Sequence, residues 1–277
     1  METFVAKPAT ANAPRKADQL FRGFEVKSVS PAAISGWLKK GWQDMMVNPV
    51  ASLTYGIIFA AVGIILGLIA AEDPVFSVAT TTGFFLVGPF LALGLYDLSR
   101  QHETNQHPNF LHSARSLNTN AISFGVYAMF LGLLMVSWVR LAAVVTAIFF
   151  NNVSLREESF IGMWRGLLSM NDGWLFALTF IAVGFLFAAL AFATGVVTGQ
   201  VMLDRKVDIV TGITTSMKVV KKNPLTMALW AIVITAIVGL GLVTLNLGLI
   251  IAMPLVAHAS WHAYREMVKP VEVGNGA

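Results

Sequence analysis

The chain alternates long apolar runs with short polar stretches. A helix needs roughly 20 apolar residues to cross about 30 Å of hydrocarbon, and six runs reach that length. The first covers residues 50–71 and is stopped by Glu72, Asp73 and Pro74. The second covers 75–97, its first third made polar by Ser77, Thr80, Thr81 and Thr82. The third, 121–150, is interrupted by Arg140. At 1.5 Å per residue it measures about 45 Å, so it tilts or protrudes. The fourth covers 174–201, the fifth 225–245 and the sixth 247–263. Only Asn246 marks a turn between the last two, which leaves a re-entrant pair as the alternative. The runs are continuously apolar, not alternating in short segments, which argues against a barrel. The expected fold is an all-α integral membrane domain over residues 32–268 with six transmembrane helices. It lies between a disordered tail, 1–31, and a short tail, 269–277.

The stretches between runs carry a second pattern. Ile34, Trp37, Leu38, Trp42, Met45 and Met46 fall on one helical face before the first run. Similar stripes precede the third (Phe110, Leu111, Ala114, Leu117), the fourth (Phe160, Ile161, Trp164, Leu167, Leu168) and the fifth (Ile209, Val210, Ile213, Met217, Val220). A 3.6-residue period marks an amphipathic helix. Each stripe ends at an asparagine, namely Asn48, Asn120, Asn171 or Asn223. Pro49 and Pro224 follow two of them, and proline suits the first turn of a helix. The expected unit is an interfacial helix, a sharp corner and a span. Trp37, Trp42, Lys39, Lys40, Lys218, Lys221 and Lys222 are its expected lipid contacts.

Composition agrees. Of the 277 residues, 56% are hydrophobic and 12% charged, against roughly 25% charged in soluble domains. Disorder and an ordinary soluble enzyme are excluded. With no cysteine, disulfides and thiolate metal sites are excluded as well. Of the 19 lysines and arginines, all but Arg140, Arg156 and Arg165 fall on one side of a six-span arrangement. The positive-inside rule then places both termini in the cytoplasm. The basic residues cluster beside spans, so anionic lipid, not nucleic acid, is the expected partner.

Two hairpins echo each other. Asn48-Pro49 and Asn223-Pro224 open them, and Pro89…Arg100 and Pro254…Arg265 repeat one spacing, with Tyr96-Asp97 matching Trp261-His262. That spacing suggests an internal duplication of the first and last hairpins. Gly63-x3-Gly67 and Gly195-x3-Gly199 allow close helix approach. The pieces Trp37…Gly41-Trp42-x-Asp44…Asn48-Pro49…Ser52-Leu53-x-Tyr55-Gly56, Gly88-Pro89…Gly94-Leu95-Tyr96…Ser99-Arg100, Asp204-Arg205-x2-Asp208 and Pro254…His258-Ala259-x-Trp261-His262-Ala263-Tyr264-Arg265 form a combination. It resembles a bacterial family of predicted multi-pass integral membrane proteins without assigned function, some labelled cytochrome c oxidase subunits. The resemblance implies a bacterial inner-membrane location and leaves the activity open.

Candidate chemistry is sparse. His258 and His262 are four residues apart, on one helical face that Glu266 continues. Such a pair suits a transition metal or haem iron. The competing reading has His258 hydrogen-bonding a neighbouring helix and His262 capping the inner end of the span. His102, His107 and His112 are five apart, on no common face. A charge at mid-membrane costs roughly 2.5–3.5 kcal/mol, but Arg140 falls near the outer end of its span. There it is an interfacial anchor snorkelling beside Trp138 or part of a substrate or proton pathway, with Glu72, Asp73, Glu157 and Glu158 as candidate partners. Asp97 sits at an inner span end. The chain has no Gly-x4-Gly-Lys-[Ser/Thr], Gly-x-Ser-x-Gly or His-Glu-x2-His motif. Three functional classes remain. The first is an accessory or scaffolding component of a membrane complex, a respiratory oxidase among them, or a homo-oligomer. The second is a transporter or channel. The third is a haem or metal protein.

Overall fold

The computed structural model describes residues 23–72, 91–149 and 172–271. Strand β1 (Phe24–Val26) leads into helices α1 (Ala33–Val47) and α2 (Pro49–Glu72). Residues 91–103 are helical (α3). Then follow α4 (Phe110–Arg115), a 3-10 turn (Ser116–Asn120), α5 (Ala121–Phe149), α6 (Gly173–Gly195), α7 (Thr198–Arg205), α8 (Ile209–Lys222), α9 (Pro224–Val243), α10 (Leu249–Met267) and β2 (Val268–Pro270). The expectation for residues 75–90, the stripe Phe160–Leu168 and Asn171 lie outside the described residues.

Among the described residues, three stretches are long and apolar enough to cross a membrane: Phe110–Phe149, Gly173–Arg205 and Pro224–Val243. The pair α1–α2, bent by 105° between Val47 and Pro49, brings the number to at most four. Helix α10, the expected sixth span, is not among them, and it carries His258, His262, Arg265 and Glu266. The turn before it falls at residues 244–248, with Leu245 and Asn246 at positive φ. That is where Asn246 marked it.

The centre of the molecule is α10. Helix α2 runs antiparallel to it, with Ser52 beside His258, and packs closely because Gly56 and Gly63 have no Cβ. A Cβ on Gly56 would collide with the Ile250 carbonyl oxygen, and one on Gly63 would stand 3.1 Å from the Asn246 side chain. Helix α1 crosses the C-terminal half of α10, Gly41 lying against Ala259. Here Trp37 is fully buried, edge-on to Trp230 at 5.6 Å between ring centroids. It is therefore a core residue and not the lipid contact its stripe suggested.

Helices α5 and α6 form an antiparallel pair seamed by aromatics. Trp138 packs on Phe180 at 5.3 Å and Phe187 at 5.8 Å, and Phe149 packs on Phe176 at 5.7 Å. Gly195 and Gly199 meet Tyr127 and Leu93, so that pair of glycines serves internal packing. The outer faces of α5, α6 and α9 expose large apolar side chains such as Leu133, Ile148, Ile181, Phe185, Ile232 and Leu240. Bilayer hydrocarbon, not water, is the solvent such faces suit.

The corners are built by their asparagines. Asn48 and Asn223 have similar backbones (φ −139, ψ 77 and φ −126, ψ 53), and each carbonyl accepts the first bond of the next helix, from Ser52 and Met227. Their side chains tie distant segments. Asn48 Nδ2 donates to the Pro108 carbonyl at 2.6 Å. Asn223 Oδ1 accepts from Val29 N at 2.7 Å, and its Nδ2 donates to the Lys27 carbonyl at 3.0 Å. At Asn120 the expected corner is absent, and Phe110–Phe149 runs on as one 40-residue stretch. No proline follows Asn120, so the next N–H is available to continue the helix. Asn120 is nonetheless tied, to the Val207 carbonyl at 2.8 Å.

The terminal segments depart from the expected tails. β1 and β2 pair antiparallel, with Glu25 opposite Lys269, and Val26 and Val268 are buried. Three residues per strand are too short to stand out as a period-2 pattern.

Candidate functional site

Where α10 meets α1 and α3, polar side chains gather into a buried layer. Asp44 of α1 is its hub. The packing of α1 through Ile34, Trp37 and Gly41 turns Asp44 inward, leaving it 7% exposed. Its Oδ1 accepts from His102 Nδ1 at 2.7 Å and its Oδ2 from His262 Nε2 at 2.8 Å. One carboxylate thus joins three helices. Burial raises its pKa, but hydrogen bonds from His262 and His102 outweigh that and hold it below the usual carboxylate range.

His258 lies one helical turn before His262 and is fully buried. Its Nδ1 is 2.7 Å from Ser99 Oγ and its Nε2 3.0 Å from Ser52 Oγ. Both ring nitrogens of His258 are engaged by hydroxyls.

A second half of the layer centres on Asp97, whose side chain is fully buried. Arg100 and Gln101 donate to its two oxygens. Arg100 also donates to the Leu203 carbonyl at 3.0 Å, while Gln101 accepts from Asn109 N at 2.9 Å. On α10, Tyr264 donates to Asp204 at 2.7 Å, Arg265 pairs with Glu103 at 2.9 Å, and Trp37 Nε1 donates to Glu266 at 2.7 Å. Burial and the neighbouring Asp204 push the Tyr264 phenol well above its ordinary pKa. Chemically this layer locks helices together.

The structure brings together His258, His262, Asp97 and Trp37 from the sequence-derived candidates. Among the described residues, no three His, Asp or Glu side chains converge as a metal-binding group. Arg140 stands apart, exposed on α5. Glu157 and Glu158 fall outside the described residues, as does Asp73. Trp42, Lys39, Lys40, Lys218, Lys221 and Lys222 are exposed. Sequence reasoning missed Asp44 and Ser99 as site residues. The signal for Asp44 was its spacing of seven from Trp37 and three from Gly41, an acidic residue on the inward face.

With this layer in place, the middle of the chain can be compared with known proteins. Residues 75–204 match a family described as predicted integral membrane protein (DUF2189). The resemblance drawn from the sequence holds over this segment, and the family has no assigned function. The oxidase label finds no support in it. No curated protein matches the chain, and no solved structure does. The matched segment supplies Asp97, Ser99, Arg100, His102, Glu103 and Asp204, whereas Asp44, His258 and His262 lie on either side of it. The polar layer therefore joins the DUF2189 segment to its two flanks.

Proposed function

We propose that the chain is a scaffolding or accessory component of a membrane complex, with six spans and both termini on the cytoplasmic side of a bacterial inner membrane. The observation that carries this reading is how completely the polar layer is engaged with itself. Asp44, Asp97, His258, His262, Arg100 and Arg265 all bind other side chains or backbone of the same chain. Such a layer fixes helix positions more readily than it turns over a substrate. The apolar outer faces of α5, α6 and α9 are the surfaces a neighbouring membrane protein would meet. The repeated Asn-Pro corners support the idea of duplicated first and last hairpins.

The test is purification from the native membrane in mild detergent, with mass spectrometry of what co-elutes. A membrane-protein partner at equal amount is the expected result. A monodisperse chain that elutes alone, from membranes where it is abundant, would sink the scaffold reading.

A further inference from the structure

Helix α8 buries an unusual face. Gly212, Thr215, Ser216 and Val219 point inward. Gly212 lies so close to α7 that a Cβ there would stand 2.9 Å from Thr198. The apolar stripe read from the sequence is therefore turned partly outward. Val210 is 63% exposed and Met217 50%, with Leu225 at 64% just beyond the corner. Lys218, Lys221 and Lys222 lie beside that stripe. A helix with lysines alongside an uncovered apolar stripe, joined directly to a span, has the makeup of one lying in the membrane interface.

These lysines also line a crevice. Together with Phe24, Glu25 and Val26 of β1 they line an open depression of about 300 Å³. Lys222 Nζ donates to the Val26 carbonyl at 2.6 Å, which fixes one wall. Asn223 and Thr226 hold the following strap, residues 27–29, through its backbone. Three lysines and one glutamate line it, so the crevice keeps a net positive charge.

We infer that this crevice between α8 and β1 is a site for the headgroup of an anionic phospholipid, whose acyl chains lie along Met217 and Leu225. Charge selects the headgroup, and the apolar flank selects a lipid over a soluble phosphate. The inference stands apart from the scaffold reading and survives its failure. A basic side chain near an anionic surface contributes about 1 kcal/mol, so losing two should weaken retention about tenfold or more.

The experiment is native mass spectrometry of the full chain in detergent, with phosphatidylglycerol and phosphatidylcholine supplied at equal amounts. Wild type should retain phosphatidylglycerol in excess. Lys218→Gln with Lys221→Gln should lose that excess about tenfold, while Lys39→Gln with Lys40→Gln on α1 should keep it. Glu25→Gln removes the one opposing charge and should raise retention two- to threefold, roughly the worth of a single exposed charge contact. Equal retention of both lipids by wild type would overturn the site. So would equal losses in both lysine pairs, which would mean diffuse surface charge, or displacement by millimolar glycerol 3-phosphate. An unchanged or lowered retention in Glu25→Gln would also count against it.

Discussion

Asp44 makes the strongest residue-scale claim, since one carboxylate accepts from imidazoles on two other helices. Hydrogen bonds to a charged group contribute roughly 1.5–3 kcal/mol. Asp44→Asn keeps the shape and loses the charge, so it should cost about 2 kcal/mol. For a chain of this size that lowers Tm by roughly 5 °C, readable by thermal unfolding in detergent at neutral pH. The pH dependence has a definite sign. The folded carboxyl sits below its ordinary value, so the unfolded chain takes up the proton first as pH falls. The contribution is complete above the unfolded value of about 4 and is lost as pH drops through the folded value. Wild type should therefore lose Tm along that acid limb, and Asp44→Asn should show a flatter limb. A variant as stable as wild type at neutral pH, with the same acid limb, would refute the hub. The histidine face was legible because i, i+4 spacing is local information. Asp44 was not, because its partners are 58 and 218 positions away in sequence.

At the scale of elements, the periodic stripes located three of the short helices, and part of each stripe is turned outward. On α1, Trp42 and Met46 are 47% and 45% exposed, while Gly41 and Asp44 are buried. Leu111 on α4 is 65% exposed, beside buried Ser113. An amphipathic stripe in water points to the core, but beside a membrane the apolar solvent is outside. The inward face can then carry small residues that allow close approach. The glycines make the same point and can be tested as a pair. Gly56→Ala would drive a methyl into the Ile250 carbonyl, whereas Gly67→Ala meets open space. Overpacking costs about 1–3 kcal/mol, so Gly56→Ala should lower Tm by roughly 5 °C or more. Gly67→Ala should leave Tm unchanged or slightly raised, since alanine favours helix. Equal effects at both positions would mean that α2 does not pack on α10 through Gly56.

For the whole molecule, the decisive contact is the smallest one. Strands of three residues at the two ends pair, Phe24 with Pro270 and Val26 with Val268. Lys27 N adds a bond to the Met267 carbonyl at 2.7 Å. Two segments that share backbone hydrogen bonds lie on the same side of any membrane. The number of crossings between them is then even, which fits four or six spans and not five, without counting any helix. Charge asymmetry led to the same parity from the sequence, by a separate physical route. The chain has no cysteine of its own, so the pairing can be tested cleanly. Glu25→Cys with Lys269→Cys places two thiols on directly opposed residues, within the range of a disulfide. Mild oxidation of native membranes should close a loop across nearly the whole chain and shift its migration on a non-reducing gel. Lys269→Cys alone should resist a membrane-impermeant thiol reagent in intact cells and react after permeabilisation. No cross-link would remove the parity argument. A cross-link together with labelling from outside would keep the even number and invert the orientation.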